Sequence, residues 1–551
     1  MRALILLVAV LPLLAACSDS NQDTALDPAF AFLDYSSQPQ PRGGQCNDSV
    51  DVQAPLIVNG FGFNHANTRN QPSLVDSGNV DQLTVNFLHT EAGVREKRGA
   101  PAVTAQTIFM TSGRQLLAIN RQSGCQYWAF TTGQEGGNFR SASILFAPAG
   151  KSVPAMVYAA DFNGYVYAVN AQTGEVVWKK FVGTIPFLHF VTGGMQHHEG
   201  KLFVPVSSKE VLATVIIPGP CCRSHGMLVA LDAATGEVLW NYHTTGEALE
   251  TVLPGERIGP NGATVWATPT VDSKRNAIYI GTGQNYTEPA TNTSDAIISL
   301  DMDTGAVNWV FQARQADTWN GHCGNTESLR CPRPAGHDFD FGAAPILLDD
   351  GNTLIAGDKG GVVYSIQAES GALNWSNKVS LGSTLGGIHW GMAVDRRRVY
   401  VAATDFSIDK ASGGVAELIP GAKPGIYALD LKTGALDWEI HPVHTFNGVT
   451  TPSLYSASLS VSNDLLFAGS LDGIVRAFDT DDGSERWSLD TAVEFTDING
   501  VPGNGGTIDS VGVVVAGDGL LINSGYATFQ GVDGRYQAGA GNALYVLTLP
   551  P

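Results

Sequence analysis

Basic residues are in short supply. Against 52 Asp and Glu the chain carries 32 Lys and Arg, a formal net charge of −20. That balance argues against a nucleic-acid backbone as partner and otherwise bears on solubility. No long helical periodicity stands out. There is no C-x-x-C-H, which excludes covalent c-type haem by that motif, and neither a nucleophile elbow nor a P-loop occurs. The longest apolar run at the N-terminus, Ala3–Leu14, is too short for a membrane span.

Glycine, by contrast, is abundant, with 63 residues, as many short turns require. The stretch Ala230–Trp240, ALDAATGEVLW, reads as strand, tight turn and strand. Asp232 and Thr235 are placed to bond turn amides, Gly236 sits where φ must be positive, and Trp240 closes the second strand with a large ring. The same pattern recurs at Ala118–Trp128, Ala168–Trp178, Ser299–Trp309, Ser365–Trp375, Ala428–Trp438 and Ala477–Trp487. Seven of the ten tryptophans are used in this way, with starts 49 to 69 residues apart. That period holds about four short strands, the content of a propeller blade rather than a solenoid rung. LTVNFLHT (Leu83–Thr90) and NALYVLTL (Asn542–Leu549) are left over at the two ends. Paired, they complete an eighth blade and leave no open sheet edge, with Phe87 roughly where the other blades place Trp. The expected fold is all-β: an eight-bladed propeller of four-stranded antiparallel blades with Trp-docking repeats, a seven-bladed ring being the alternative.

Residues 1–17 read as a lipoprotein signal. Met1-Arg2 is a minimal basic start, and Leu14-Ala15-Ala16-Cys17 resembles the bacterial signal in which the Cys is lipidated. An ordinary signal peptide cut after Ala16 is the alternative, giving a soluble periplasmic or secreted protein. Ser18 after the Cys resembles outer-membrane sorting. Residues 18–51, rich in Gln, Pro and Ser, read as a flexible tether, and 52–551 as the propeller. Removing Cys17 leaves six cysteines, an even number that suits an oxidising compartment. The simplest pairing is Cys46–Cys125, Cys221–Cys222 and Cys323–Cys331, out of fifteen possible; Cys221 and Cys222 can instead each bond a separate partner.

The insertions between repeats carry the chemistry. VPVSSKEVLATVIIPGPCCRSHG (Val204–Gly226) holds Ser207, Glu210 and the Cys pair, and GPNGATVWATPT (Gly259–Thr270) holds Trp266, outside the repeat position. GTGQNY (Gly281–Tyr286), AGHDFDFGAAPILL (Ala335–Leu348) and IAGDKGG (Ile355–Gly361) supply amides, carboxylates and Lys359. Singly, each is an ordinary turn residue. Clustered, oxygen donors suit Ca²⁺, a buried carboxylate suits a general base, and an indole face suits a flat ligand. His197-His198-Glu199 lacks a metal spacing and reads as a loop, and in Asp479–Gly483 the glycine is the repeat's turn residue.

These motifs, with NGFGFNHANTRNQ (Asn59–Gln71), CCRSHGMLVALDAATG, TNTSDAIISLD and GGIHWGMAVD, resemble the pyrroloquinoline quinone (PQQ)-dependent alcohol dehydrogenases. The likeness is closest to the polyvinyl alcohol dehydrogenase branch and runs from about Asn59 onward. It implies Asp340 as catalytic base and metal ligand, Lys359 as the cation at the reactive carbonyl, and Glu210 as metal ligand. Gln284 stands where the family usually has a metal-ligating Asn, with Asn285 as a substitute. By the same resemblance Trp266 stacks beneath the quinone, and Arg140, Thr192, Ser207 and Trp390 make further contacts. Cys221-Cys222 departs from the family, whose vicinal disulfide over the quinone lies earlier in the chain; here it either reaches the cofactor from another blade or braces a loop. No haem segment is fused. The implied chemistry is oxidation of secondary alcohols, Asp340 taking the hydroxyl proton, with electrons passed to an external acceptor such as a periplasmic cytochrome c. Asp338 reads as a solvated or structural neighbour. A non-catalytic scaffold of outer-membrane assembly, sharing the anchor and the repeat, is the competing reading.

Overall fold

The computed structural model describes residues 43–140, 144–150, 153–213, 219–246, 257–324, 328–407, 417–526 and 534–550. The signal segment, Cys17 and the tether up to residue 42 lie outside the described residues. The repeats fold as expected, each contributing the two outer strands of a four-stranded antiparallel blade. The blade of Trp309 runs Thr270–Asp272, Ala277–Gly281, Ala296–Asp301 and Val307–Gln312, hydrogen-bonded in that order. Each strand's core-facing residues are aliphatic and buried, and the packed faces of neighbouring blades share these clusters.

The turn of the repeat locks blade to blade. Asp232 Oδ1 accepts the amides of Ala234 (3.0 Å) and Thr235 (2.8 Å), and Thr235 Oγ1 accepts that of Glu237 (3.2 Å). This bends the backbone so that Gly236 has φ 74°. A Cβ there would lie 2.7 Å from the ring of Trp178, the tryptophan of the preceding blade. That indole lies against the turn and donates its N–H to Ala233 O (3.1 Å). Trp128, Trp240, Trp309, Trp375 and Trp438 each donate to the corresponding carbonyl of the next blade, at 2.9 to 3.2 Å.

The eighth blade closes the ring. Val513–Ala516, Gly519–Ser524 and Ala543–Thr548 come from the C-terminal part, and Thr84–His89 supplies the outer strand. Phe87 pairs with Val546 across a register shift, as Trp240 pairs with Ala230 across one. It also lies beneath the turn glycine Gly124 of the first blade, 3.1 Å from a Cβ placed there. Phe87 therefore occupies the tryptophan's place without its N–H.

Two further ties hold the N-terminal region. Cys46 is disulfide-bonded to Cys125, its amide donates to Gln126 O (3.0 Å), and Val50 is buried in the first blade's cluster. The tether expected over 18–51 is thus corrected at its end: residues 43–51 are pinned to the first blade. Further on, Arg69 is fully buried and donates to the carbonyls of Phe61, Leu459, Val511 and Val513 and to Ser460 Oγ. Burial pushes its guanidinium down to about 9. It fastens the segment before the closing strand to the last two blades. Gln196–His198 is a strand ending in a turn rather than a loop. Phe87→Ala should cost about 3–5 kcal/mol of stability through the lost ring, read as a fall in denaturation midpoint. A loss below about 1 kcal/mol would show that closure does not depend on this docking.

Candidate functional site

Three insertions converge where the strands Ala277–Gly281 and Thr353–Gly357 end. The Lys359 ammonium pairs with Asp338 Oδ1 at 3.0 Å and Asp340 Oδ2 at 3.4 Å, all three side chains being buried. Asp340 Oδ2 also accepts the Trp266 indole N–H (3.0 Å), and Lys359 lies 5.5 Å over the Trp266 ring. Asp340 Oδ1 accepts the Gln284 amide (3.3 Å). That approach requires Gly283, where a Cβ would stand 2.1 Å from the same oxygen. Burial alone would push the Lys359 ammonium down, but Asp338 and Asp340 together raise it above its ordinary value.

Asp338 takes the structural of its two readings. It is 7% exposed, closer to Lys359 than Asp340 is, and accepts Gln284 Nε2 at 3.3 Å. The alternation that turns Phe339 away, to stack on His337 at 4.7 Å, sends both carboxylates inward. Asp338 is structural and not solvated.

The Gln284–Asn285 alternative is also decided by geometry. Asn285 Oδ1 is engaged by Thr291 N (2.7 Å) and its Nδ2 by Asn261 O (2.7 Å). Gln284 Oε1 is buried with no hydrogen-bond partner, so it is the amide oxygen available to a cation. Glu210 opens the short helix Glu210–Ala213, and its Oε2 accepts the amides of Arg223 (2.9 Å) and Ser224 (2.7 Å). Cys221 and Cys222 are bonded to each other and pack with Val211 on the buried Tyr286 ring. Directly ahead of Arg223 and Ser224, they brace the loop that grips Glu210. The same Tyr286 feels both the Glu210 and Asp340 charges, which ties the two halves of the site together. Among the described residues no three His, Cys, Asp or Glu side chains form a metal cluster; the ligands implied by the resemblance, Glu210, Asp340 and Gln284, are two carboxylates and one amide.

On the other side of Trp266 stands Trp390, edge to face at 5.3 Å, with its N–H on Asp509 Oδ2 (3.0 Å). Ser456 donates to Asp509 Oδ1 (2.5 Å) and meets His389 Nδ1 (2.6 Å). Burial pushes the Asp509 carboxyl up to about 6 and holds His389 well below the usual imidazole range. Arg140 lies in electrostatic range of Asp509 and over the Phe162 ring at 4.3 Å. Ser207 is buried opposite Phe190 in register. Thr192 is buried beside Gly193, which lies against the Trp266 backbone. Arg140 and Phe162 thus stand near Asp509, and Gly193 beside Thr192 near Trp266. His389, Asp509, Ser456 and Tyr286 went unread; only His389 and Tyr286 carry a signal, as neighbours of Trp390 and of Gln284-Asn285.

Comparison with known proteins bears on the family and the fold. A family model described as glucose/ethanol/alcohol dehydrogenase β-propeller domain (PQQ) matches residues 62–329. A model described as outer membrane protein assembly factor BamB matches residues 334–502. The chain is similar to polyvinylalcohol dehydrogenase of Sphingopyxis sp. (strain 113P3), 35% identical over 504 residues covering 88% of this chain and 75% of that one. It is similar to methanol dehydrogenase (cytochrome c) subunit 1 of Methylorubrum extorquens, 23% identical over 75% of this chain and 76% of that one. A solved europium-containing methanol dehydrogenase shares the fold at TM-score 0.64, with 18% identity, over 90% of this chain and 98% of that one.

Removing Asp338 should leave Lys359 with one carboxylate and lower its pKa. In Asp338→Asn, acylation of Lys359 followed by mass spectrometry should rise at lower pH than in the parent. An unchanged labelling profile would show that Asp338 does not hold the ammonium.

Proposed function

The chain belongs to the PQQ-dependent dehydrogenase β-propeller family, as an alcohol dehydrogenase, and from that premise we propose that it oxidises secondary alcohol groups with the help of Ca²⁺. The observation that carries this reading is the buried cluster of Trp266, Asp340 and Lys359 beside the unpartnered Oε1 of Gln284. A propeller acting only as a scaffold has no use for such a cluster, so the scaffold reading falls.

The residues present fit both groups. Trp266 offers an indole face, with a cation at one neighbour and Trp390 at another. Glu210, Gln284 and Asp340 would hold the Ca²⁺, hard oxygen donors of the kind it takes. When bound, the quinone supplies a two-electron acceptor and the metal a Lewis acid.

The chain's own residues do the rest. Lys359 places a fixed positive charge against Trp266, where negative charge develops during reduction. The indole N–H and the ammonium hold Oδ2 of Asp340 in place. Oδ1, with only one long amide bond, keeps capacity to take the substrate hydroxyl proton. Asp340 is itself buried, which limits the access of water to that carboxylate. The secondary-alcohol class is supported by the polyvinylalcohol dehydrogenase relative, and an external cytochrome c acceptor by the methanol dehydrogenase relative's name. Residues 1–17 and the disulfides support a periplasmic protein anchored through Cys17.

Purified protein given PQQ and Ca²⁺ should reduce a dye in an alcohol-dependent way. Asp340→Asn should keep quinone binding and lose at least ~10²-fold in turnover; parent-like turnover would remove Asp340 from the mechanism. Cys17→Ser should abolish lipid labelling, and a parent that takes no lipid label would remove the anchor.

A further inference from the structure

Cations are scarce in this chain, yet Arg98, Arg140 and Lys209 gather at one corner of the site, and the two arginines share one ion-pair partner, Glu96. Arg98 and Arg140 both lean on Glu96 Oε2, each at 3.4 Å. That is long for a charge-assisted bond, which runs near 2.8 Å. The Nε of each guanidinium is buried and has no hydrogen-bond partner. Aromatic rings fix both: Arg98 lies 3.9 Å over Tyr526, and Arg140 lies 4.3 Å over Phe162. Lys209 reaches the same Phe162 ring at 4.7 Å. Stacking of this kind leaves the edge donors of a guanidinium for a planar anion. Asp509 does not supply that anion. Its oxygens are taken by Ser456 and Trp390, and burial favours its neutral form.

We propose that Arg98 and Arg140 form a paired clamp for a carboxylate of the quinone cofactor, with Arg98 a binding residue additional to those the repeat insertions supply. The inference rests on the quinone reading above. PQQ is a tricarboxylate, and Arg140 connects through Asp509 and Trp390 to Trp266, the platform that also contacts Lys359. Glu96, one-third exposed, is the clamp's resting partner.

The test is equilibrium binding of PQQ to the apoprotein, followed by quenching of tryptophan fluorescence, with PQQ trimethyl ester in parallel. The ester keeps the o-quinone and removes the carboxylate charges. The parent should bind PQQ at least ~10-fold more tightly than the ester, the effect of one charged hydrogen-bonded contact. Arg98→Gln should weaken PQQ by a similar factor and leave ester binding unchanged, and Arg98→Lys should recover part of the loss. Ester and acid bound equally by the parent would overturn the clamp without recourse to any variant. So would Arg98→Gln binding PQQ like the parent. A parent that binds neither compound sinks the quinone reading, and the clamp with it.

Discussion

An indole ring held beneath a neighbour's turn glycine is the contact on which everything else depends. A lone four-stranded blade buries one or two narrow faces and is marginal by itself. Stacked in a ring, each blade gains a second buried face, and the Trp–Gly contact sets the distance and register between them. The N–H bond to the next blade's carbonyl makes the contact directional, so the blades cannot slide past one another. With the outer strands so fixed, the connections between blades can vary without cost to the ring. That is where Glu210, Trp266, Asp340 and Lys359 are found, and it is why Trp266 and Asp340, 74 residues apart, meet within hydrogen-bond range.

The buried cations sort themselves by how their charge is met. Arg69 is surrounded by backbone carbonyls and a hydroxyl and has no unsatisfied donor; it is a structural tie. Lys359 faces two carboxylates, which hold it charged in a place where desolvation would favour the neutral amine. That is the arrangement of a group meant to keep its charge while chemistry happens beside it. Arg98 and Arg140 share one distant carboxylate and keep buried donors free. Two stacked guanidiniums whose shared ion-pair partner stands at 3.4 Å are less completely met than either of the others.

Much of this was legible beforehand because the fold is periodic. One eleven-residue pattern fixed the turn, the docking ring and the number of blades, and even the stand-in Phe87 followed from counting. The disulfides were legible because neighbouring cysteines left a simple pairing. The site was legible only through its resemblance to a family, since single Asp and Lys residues in turns have no periodic signature. What stayed hidden is what depends on distance. Asp338 stood open between a solvated and a structural reading, and only its distances to Lys359 and Gln284 decide for the second. Asp509 lies in the last blade, far along the chain from Trp390, and nothing in its local sequence announces the contact. Gln284 and Asn285 became distinguishable only when the partners of each amide could be counted.

The seam between Thr84–His89 and Ala543–Thr548 joins residues up to 464 positions apart. Without that pairing both flanking strands are open edges. Making that seam closes a loop of nearly the whole propeller, whose closure entropy is among the largest the chain meets. The residues proposed to hold the quinone come from insertions spread around the whole ring, so they would not stand together in an open string. Loading of the cofactor must come after closure, and by binding only the closed form the cofactor would hold the seam shut. The apoprotein and the holoprotein would then differ less in shape than in how often the ring opens.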